Sequence, residues 1–296
     1  MRYSLRQLEV FLAVARTESV SRAARELGMS QSAVSGALAD LERQFDRLLF
    51  DRIGKRLRLS LLGRSLRPRC DALHEQAVEL EQALSRQSSL GGLRVGATLT
   101  IGNYFAVPLL ARFKREHPGA RVTLEVANTA EIARKVANFE IDVGLVEGEL
   151  FDPDLDVLDW CADELVVFCA PSHPFAQKGD LCDDDLRGAS WIVREPGSGT
   201  RQAFARAMHG VLSDLELAFE LQHIEAIKGA VEAGMGVGCV SRLALADAFQ
   251  RGTLVPCRVP GRDFRRHFCF VLHKQKHRSL AIQTWLELCA AWPERG

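Results

Sequence analysis

The sequence predicts an α/β protein in which a small helical module and one long helix precede a larger body of alternating strands and helices. Three observations predict this class. Apolar residues recur at helical spacing through residues 5–45, a heptad spacing follows over residues 66–84, and short apolar strands alternate with helices from residue 93 onward. A chain of 296 residues has room for a small domain and a larger one.

The overall charge balance hides two oppositely charged parts. The chain carries 38 Lys and Arg against 38 Asp and Glu, so its formal net charge is zero. Residues 1–70 nevertheless carry 14 basic against 7 acidic side chains, and the remainder carries 24 against 31. A basic head on an acidic body is typical of a protein that presents one end to phosphates, and a merely solvated surface is the alternative.

The N-terminus and the hydropathy pattern predict a cytoplasmic protein with no membrane partner. No apolar stretch approaches the roughly 20 residues that a membrane span needs, and charges occupy the place of a signal peptide's apolar core. The eight cysteines include no Cys-x-x-Cys pair, and the eight histidines lack ligand spacing. We therefore predict core-packing cysteines without metal or cofactor, and a metal or redox site is the alternative.

The segment after the first amphipathic helix predicts a helix-turn-helix. Two short helices follow that helix, and Ser19 and Ser30 are placed to cap them. Gly28 lies between the two helices, where a tight turn favours a left-handed backbone. Two short helices joined by such a turn form the motif.

The third helix is the candidate for entering the major groove of DNA. The face that we expect to be buried holds Val34, Leu38, Leu41 and Phe45. The opposite face is small and uncharged near its start, which suits a helix lying deep in a groove. The candidate DNA-binding residues of this helix are Gln31, Ser32, Ser35 and Arg43. An ordinary solvated helix face is the alternative, because small residues suit it as well.

A basic hairpin follows the third helix directly. Residues 48–60 predict two short strands around a Gly-containing turn. The basic side chains of this segment are Arg52, Lys55, Arg56 and Arg58. Such a cluster suits a phosphate backbone or a minor groove. The combination predicts a winged helix-turn-helix that binds double-stranded DNA, with Arg52, Lys55 and Arg56 as its wing contacts.

The long helix after the hairpin carries an apolar heptad seam. Its positions are Leu66, Cys70, Leu73, Ala77, Leu80 and Leu84. Pro68 lies near the helix start, where proline is best tolerated. We expect a second copy of the chain to bury this seam, and packing on the helix's own domain is the alternative. Residues 85–92 are interpreted as a hinge.

The body of the chain alternates between strands and helices. The predicted strands are residues 93–97, 121–126, 141–146, 164–170, 191–193, 217–221 and 236–240. Alternation of this kind predicts parallel sheets with helices on both faces. In such sheets, ligands bind outside the carboxyl ends of the strands.

Three strand-to-helix turns in this body carry hydroxyl or amide side chains. These turns hold Thr98, Thr100, Asn128, Thr129, Ser198 and Thr200. Backbone amides and hydroxyls at helix starts favour an anionic ligand, so the three turns together predict a pocket for a small anion. Plain capping of each helix is the alternative, because it requires the same residue types.

The body contains no recognisable catalytic motif, so we predict that the chain is not an enzyme. Residues 197–199 do not form a Gly-x-Ser-x-Gly elbow, and the glycines of residues 234–238 precede a strand instead of following one. A stand-alone solute-binding protein is the strongest competing interpretation. It would need an export signal and would have no use for the wing.

Two groups of segments resemble a known family. Residues 5–8 (LRQL), 21–24 (SRAA), 31–35 (QSAVS), 41–42 (LE) and 49–52 (LFDR) resemble the LysR-type transcriptional regulators. In the body, residues 100–104 (TIGNY), 147–148 (EG), 163–165 (DEL), 194–201 (REPGSGTR) and 225–228 (EAIK) resemble the YeiE-like subgroup of that family, whose members are described as sulfite-responsive. One departure is Gly36, where many family members carry Arg. Base recognition would then depend on Gln31, Ser32 and Ser35.

The resemblance implies a domain organisation and an assembly. Residues 1–60 would form the winged helix-turn-helix, 61–90 the linker helix and hinge, and 91–296 the effector-binding domain. That domain would consist of two Rossmann-like subdomains of the type 2 periplasmic-binding-protein kind, with the effector between them. The first subdomain would span residues 93–163 and 269–296, and the second residues 164–268. The resemblance also implies a homotetramer built as a dimer of dimers.

The resemblance adds Glu147 and Glu195 to the effector-binding residues and makes sulfite the expected anion. Glu147 conflicts with such a ligand, because a carboxylate repels an anion unless one of the two carries a proton. Two roles for Glu147 therefore stay open. It either contacts the ligand or accepts hydrogen bonds from neighbouring amides as a structural group.

Overall fold

Three helices and a hairpin form the N-terminal head. The structure, a computed structural model, describes residues 2–53, 56–84 and 90–292. The elements of the head are α1 (Leu5–Thr17), α2 (Val20–Glu26), α3 (Gln31–Phe45) and the antiparallel strands β1 (Phe50–Ile53) and β2 (Arg56–Leu59). The head is therefore the winged helix-turn-helix that the sequence predicts.

Side-chain caps begin both helices of the motif. The hydroxyl of Ser19 accepts from the Arg22 amide at 3.4 Å, and the hydroxyl of Ser30 accepts from the Ala33 amide at 3.1 Å. Gly28 adopts a φ of +60°, the left-handed conformation that the turn between α2 and α3 was expected to need. The two caps and the turn are confirmed.

The core of the head packs α3 against α1. Val34, Leu38 and Leu41 are buried there, as predicted. Phe45 was predicted on the same face, but it is 46% exposed. This prediction is wrong because α3 ends at Phe45, whose ring extends beyond the packed core into an open apolar groove. The Glu42 carboxylate accepts from the amides of residues 49 and 50 at 2.7 and 3.2 Å, which ties the hairpin to α3.

The linker is one helix, α4 (Leu61–Leu84), which continues through Pro68. Its predicted seam divides into two parts. Leu66 and Cys70 pack against the core of the head. For this part of the seam the alternative, packing within the same chain, is therefore the one observed. Leu80 and Leu84 are 61% and 76% exposed in the single chain. The second part of the seam therefore has no cover from the described residues.

The body of the chain, from residue 90 onward, is built on one mixed sheet. The elements of its first subdomain are β3 (Gly92–Ala97), α5 (Leu99–Ile101), α6 (Val107–Glu116), β4 (Arg121–Val126), α7 (Thr129–Ala137), β5 (Val143–Glu147) and α12 (Leu280–Ala290). Those of the second are α8 (Asp183–Gly188), β7 (Ser190–Arg194), α9 (Gly199–Ala207), β8 (Glu216–Leu221), α10 (Ile224–Glu232), β9 (Val237–Ser241), α11 (Arg242–Arg251) and β10 (Val255–Cys257). A π-helical turn, Gly102–Ala106, joins α5 to α6.

Two long strands, β6 (Leu155–Cys169) and β11 (Arg265–His273), cross between the subdomains. The strand order is β4-β3-β5-β11-β6-β9-β7-β8, with β10 beside β6. The pairs β3–β4, β3–β5, β7–β8 and β7–β9 are parallel, as predicted. In contrast, β6 and β11 run antiparallel to their neighbours. The expectation of purely parallel sheets is therefore wrong at the crossing. There β6 follows β5, and β11 follows β10, through short connections without a crossover helix, which a parallel arrangement usually needs.

Each subdomain has its own apolar core. Phe113 and Trp285 lie in the first, with their ring centroids 5.5 Å apart. Trp191 and Phe204 lie in the second, with centroids 5.0 Å apart. Each half of the sheet is therefore close-packed around aromatic side chains of its own, on either side of the crossing strands. Among the described residues, no helix is both long and apolar enough to cross a membrane.

Candidate DNA-binding surface and effector cleft

The outer face of α3 carries the predicted base-contacting side chains. Gln31, Ser32 and Ser35 are exposed. The side chain of Gln31 donates to Ser21 Oγ, and Ser32 Oγ lies 3.0 Å from the capping hydroxyl of the same helix. Gly36 is exposed as well, and a Cβ atom there would meet nothing within 4 Å. Packing within the head therefore does not require small side chains on this face.

Basic side chains flank that face. Arg52 is exposed on β1. The side chain of Arg43 is 79% exposed near the end of α3, where it pairs with Asp40. Lys55 and the side chain of Arg56 fall outside the described residues. Of the predicted wing contacts, Arg52 is thus the one whose position the structure gives.

The cleft lies where the ends of two sets of strands meet. In the first subdomain β3, β4 and β5 end side by side, because Ala97 pairs with both Val126 and Leu145. In the second subdomain the parallel strands β7 and β9 end at Arg194 and Ser241. The predicted turns follow directly from these ends, so the structure brings them to one region between the subdomains.

Several predicted effector residues bridge the two subdomains directly. Asn128 Nδ2 donates to Glu195 Oε1 at 3.2 Å. Thr200 Oγ1 donates to Glu147 Oε1 at 3.0 Å. Both bonds join a residue of the first subdomain to one of the second, and they hold the cleft closed in this structure.

Gly199 allows the two backbones to touch. Its amide donates to Thr129 Oγ1 at 3.1 Å, and that hydroxyl donates to the Glu147 carbonyl at 3.0 Å. A Cβ atom on Gly199 would lie 1.8 Å from the same carbonyl oxygen. The glycine in this turn is therefore required by a close approach between the subdomains.

The capping alternative holds for two of the three turns. Asn128 Oδ1 accepts from the Glu131 amide at 3.0 Å, and Ser198 Oγ accepts from the Thr200 amide at 3.2 Å. The first turn is different, because the Thr98 side chain makes no capping bond. The hydroxyls of Thr98 and Thr100 are buried without a partner among the described residues.

Arg266, which the sequence analysis did not single out, lies in the middle of the cleft and is 3% exposed. Its Nη2 lies 3.2 Å from Glu147 Oε2, and its Nε donates to Asp163 Oδ2 at 2.6 Å. Its Nη1 donates to Thr200 Oγ1 at 2.9 Å. Glu147 is thus held by a guanidinium and a hydroxyl, where the structural interpretation expected amides. An arginine at the start of an otherwise apolar strand was the available signal.

The charges of the cleft nearly balance. Arg266 faces the carboxylates of Glu147 and Asp163, and burial raises the pKa of Asp163 even though Arg266 opposes the shift. Arg194 is 1% exposed and donates twice to Glu195, at 2.8 and 3.0 Å. Its Nη1 has no partner in the described part of the chain. Two buried guanidiniums thus face three carboxylates, so the charged side chains of the cleft provide no net positive field for an anion.

Two cavities lie between the subdomains, and one of them borders the bridges. One of about 330 Å³ is lined by residues of both facing turns, among them Thr129 and Ser198. The other, of about 490 Å³, lies between the subdomains and is lined by Tyr104, Glu225 and Lys228 among others. The cleft therefore has open volume beside the contacts that close it, and a second open volume elsewhere between the subdomains.

Most cysteines pack in cores, as predicted. Cys169, Cys239, Cys257, Cys269 and Cys289 are buried. The Sγ atoms of Cys169 and Cys257 lie 3.5 Å apart on neighbouring strands. Within residues 2–53, 56–84 and 90–292, no three His, Cys, Asp or Glu side chains are grouped to hold a metal ion.

Family models cover nearly all of the chain. Residues 5–64 match the model described as bacterial regulatory helix-turn-helix protein, lysR family. Residues 86–293 match the model described as LysR substrate binding domain. The first match coincides with the head and the second with the domain that holds the cleft.

Curated relatives align over the full length. The HTH-type transcriptional regulator YeiE of Escherichia coli is 43% identical over 98% of this chain and 98% of its own. The RuBisCO operon transcriptional regulator of Allochromatium vinosum is 32% identical over 97% of this chain and 95% of its own.

Solved structures show the same architecture. A full-length OxyR variant from Pseudomonas aeruginosa has a TM-score of 0.74 at 20% identity and covers 98% of this chain and 94% of its own. The regulatory domain of Synechocystis CcmR in complex with 2-PG has a TM-score of 0.64 at 30% identity and covers 69% of this chain and 98% of its own.

The head, the linker and the two-subdomain cleft define a ligand-responsive transcription regulator. The chain belongs to the LysR family of transcriptional regulators and carries its effector-binding domain. Its relatives are regulators and not enzymes. The competing interpretations, a stand-alone solute-binding protein and an enzyme, are thereby set aside.

Proposed function

We propose that the chain binds operator DNA through its head and that a small oxyanion in the cleft regulates this binding. The observation that carries the effector proposal is the set of buried, unpaired polar atoms at the cleft, namely Thr98 Oγ1, Thr100 Oγ1 and Arg194 Nη1. A buried donor without a partner costs free energy, so such groups favour a ligand that accepts hydrogen bonds. Sulfite is the anion that we propose, by resemblance to the YeiE-like regulators.

The arrangement favours the first turn as the seat of the anion. The polar groups of Asn128, Thr129 and Ser198 are already used in caps and bridges. Thr98 and Thr100 stand at the start of the helical segment of residues 99–116, whose positive end faces a negative ligand favourably. Asn128, Thr129, Glu147, Glu195, Ser198 and Thr200 would then shape and close the site around it. The complex of CcmR with 2-PG supports a ligand in such a domain.

Titration calorimetry with sulfite on the full chain tests the effector. We expect Thr100→Ala to weaken sulfite binding at least about tenfold, because it removes a buried donor, and to change the melting temperature little. Thr253→Ala is the control, because it removes a hydroxyl that donates to Glu232 and belongs to none of the three turns. This variant should bind sulfite as wild type does. If wild type binds no sulfite, or if Thr100→Ala binds it equally well, this effector site is wrong.

We also propose that the basic wing supplies sequence-independent affinity. Arg52→Ala should weaken binding to every DNA sequence and lower the slope of log K against log salt by about one, because one phosphate contact is lost. Arg258→Ala removes an equally basic side chain that is 80% exposed on the effector domain, and it should change neither quantity. Gel-shift titrations at several salt concentrations measure both. An unchanged slope for Arg52→Ala would remove the wing from the interface.

The assembly is proposed to be a homo-oligomer, a dimer of dimers, formed in part by α4. An apolar groove of about 480 Å³ between head and linker continues the exposed seam and is lined by Phe45, Leu62 and Leu73 among others. The groove and the seam together would accept the α4 of a second copy. The domain boundaries given above and a cytoplasmic location stay part of this proposal.

A further inference from the structure

A buried ion cluster joins the linker helix to the effector domain. Lys276, between β11 and α12, has a side chain that is only 1% exposed. Its Nζ lies 2.7 Å from Asp71 Oδ2 and 3.3 Å from Glu75 Oε1, both on α4, and 3.1 Å from Asp142 Oδ1. Asp142 in turn accepts from the Arg94 amide at 2.8 Å and from its guanidinium at 2.5 Å. We refer to these five residues as the linker cluster.

One face of α4 is built to meet this cluster. Charged residues recur there every fourth position, at Arg67, Asp71, Glu75 and Glu79. This face lies about 160° round the helix from the apolar seam. Arg67 donates to the Asn138 carbonyl, and Glu79 accepts from the Leu280 amide at 3.1 Å and so caps α12. In sequence the spacing resembles a solvated helix face, but in the structure it is docked.

The linker cluster and the cleft lie at opposite ends of the same strands. Three segments each connect a member of the linker cluster to a residue of the cleft. The pairs are Arg94 with Thr98, Asp142 with Glu147, and Lys276 with Arg266. The strands concerned, β3, β5 and β11, are neighbours in the sheet. Strand β11 from Arg266 to His273 spans about 23 Å at the usual rise per residue. A displacement of these strands at the cleft would therefore act on the groups that hold α4.

We propose that Lys276 is the positioning residue that fixes the linker helix, and with it the DNA-binding head, on the effector domain. The inference rests on the proposed function, in which the head binds DNA and the cleft takes an effector. Without Lys276, the carboxylates of Asp71, Glu75 and Asp142 would share a buried site without their common cation. Asp71 and Glu75, which lie on α4, would also lose their bond to the effector domain. Removal of one partner from a buried ion cluster is far more disruptive than loss of a surface pair.

Lys276→Met in the full chain tests the positioning role. Hydrogen exchange across residues 71–84 should become at least about tenfold faster, because that part of α4 loses its anchor, and small-angle scattering should show a wider distribution of head-to-body distances. Lys274→Met is the matched control. Lys274 is exposed and donates to the Pro153 carbonyl at 2.6 Å, away from α4. Wild-type exchange and scattering in Lys276→Met would overturn the proposal.

A milder pair of variants covers the case in which Lys276→Met does not fold. Glu75 and Glu79 have side chains that are 25% and 37% exposed, so Glu75→Gln with Glu79→Gln disturbs the fold less. The double variant should shift exchange and scattering in the same direction, and Lys276→Arg should restore most of the wild-type behaviour because it keeps the charge. A double variant that matches wild type would count against the proposal equally.

Coupling to the cleft separates positioning from a general structural role. DNA selected from random sequence by the wild-type chain serves as the operator, and sulfite is the probe. Lys276→Met should bind sulfite within about threefold of wild type, whereas sulfite should change its operator affinity much less than in wild type. An unchanged effect of sulfite on operator affinity would refute the role. If wild type binds no sulfite, the proposed effector fails, and the exchange and scattering results on the free chain still decide the role of Lys276.

Discussion

At the scale of single residues, two glycines differ in what a Cβ atom would meet. At Gly36, on the outer face of α3, the added atom would have open space within 4 Å. At Gly199, between the subdomains, it would lie 1.8 Å from the Glu147 carbonyl oxygen. The first glycine leaves room for a DNA-contacting side chain, and the second is required for closure of the cleft.

Gly36→Arg is expected to strengthen binding to DNA of any sequence, because it adds a cation to a face that we propose lies in the groove. The slope of log K against log salt should steepen by about one. Gel-shift titrations over a range of salt concentrations measure it. Gly36→Ala gains helix propensity without charge and should keep the wild-type slope. Equal slopes for the two variants would contradict the placement of this face against DNA.

Gly199→Ala is expected to lower the melting temperature and to open the cleft, since the methyl group cannot fit beside the Glu147 carbonyl. Overpacking of this kind costs about 1–3 kcal/mol, or more where backbone must move. Calorimetric melting measures the loss. Gly229→Ala within α10 is the control, because its Cβ atom would meet nothing within 4 Å. Identical melting of Gly199→Ala and wild type would show that the two backbones do not touch.

At the scale of elements, α4 is a helix with two different faces. Its charged face is docked on the effector domain through Lys276, and its seam is left exposed at Leu73, Leu80 and Leu84. A helix whose apolar side is bare in the single chain is expected to pair with another copy. Because the two faces lie on opposite sides of the helix, α4 can hold its own effector domain and a partner simultaneously.

Leu73→Glu combined with Leu80→Glu is expected to yield smaller species in sedimentation velocity, since the charges would be buried without partners in a paired seam. Operator binding should weaken with the loss of the second head. Leu61→Glu is the control, because Leu61 is 80% exposed and lies off the seam. An oligomer that persists in the double variant at micromolar concentration would show that the seam packs elsewhere.

At the scale of the whole molecule, the linker cluster makes the head and the effector domain one unit. Burial opposes the charged form of Asp142, but Lys276 and Arg94 outweigh it and lower the pKa of that carboxyl below its ordinary value. Burial likewise opposes the charge on Lys276, and Asp142, Asp71 and Glu75 together raise its pKa above the ordinary value. Both shifts mean that the folded state favours the charged forms.

Asp142→Asn is expected to lower the free energy of unfolding by about 3–5 kcal/mol near neutral pH, because it removes the buried carboxylate that pairs with both Arg94 and Lys276. A lowered folded-state pKa contributes stability above the unfolded value of about 4, and this contribution is lost as pH falls through the folded value. The difference in free energy of unfolding between wild type and variant, measured by urea unfolding, should therefore disappear in acid.

Asp156→Asn is the control for that comparison. Asp156 pairs with Arg278 at 3.0 Å, and the two side chains are 39% and 32% exposed. An exposed pair of this kind contributes at most about 1 kcal/mol. The buried cluster would be contradicted if Asp142→Asn lost no more free energy of unfolding than Asp156→Asn. It would also be contradicted if the loss for Asp142→Asn did not change with pH.

Short-range patterns in the sequence were enough to predict the head and the strand ends. The caps at Ser19 and Ser30, the turn at Gly28 and the buried face of α3 depend on residues at most four positions apart. The turns at Thr98, Asn128 and Ser198 were likewise predictable, because strand-to-helix alternation is a local signal. All of these features could be read without knowledge of the rest of the chain.

Only the tertiary structure decided which charged groups meet. Arg266 and Asp163 are 103 residues apart, and Lys276 and Asp71 are 205 residues apart. In sequence each is an ordinary charged residue, which is on general grounds expected in solvent. Their burial depends on the antiparallel crossing of β6 and β11 and on the docking of α4, which no periodicity encodes. The sequence alone therefore determined the family, the head and most strands of the body, but not β10 or β11. The closed cleft and the anchored linker are products of contacts between distant segments.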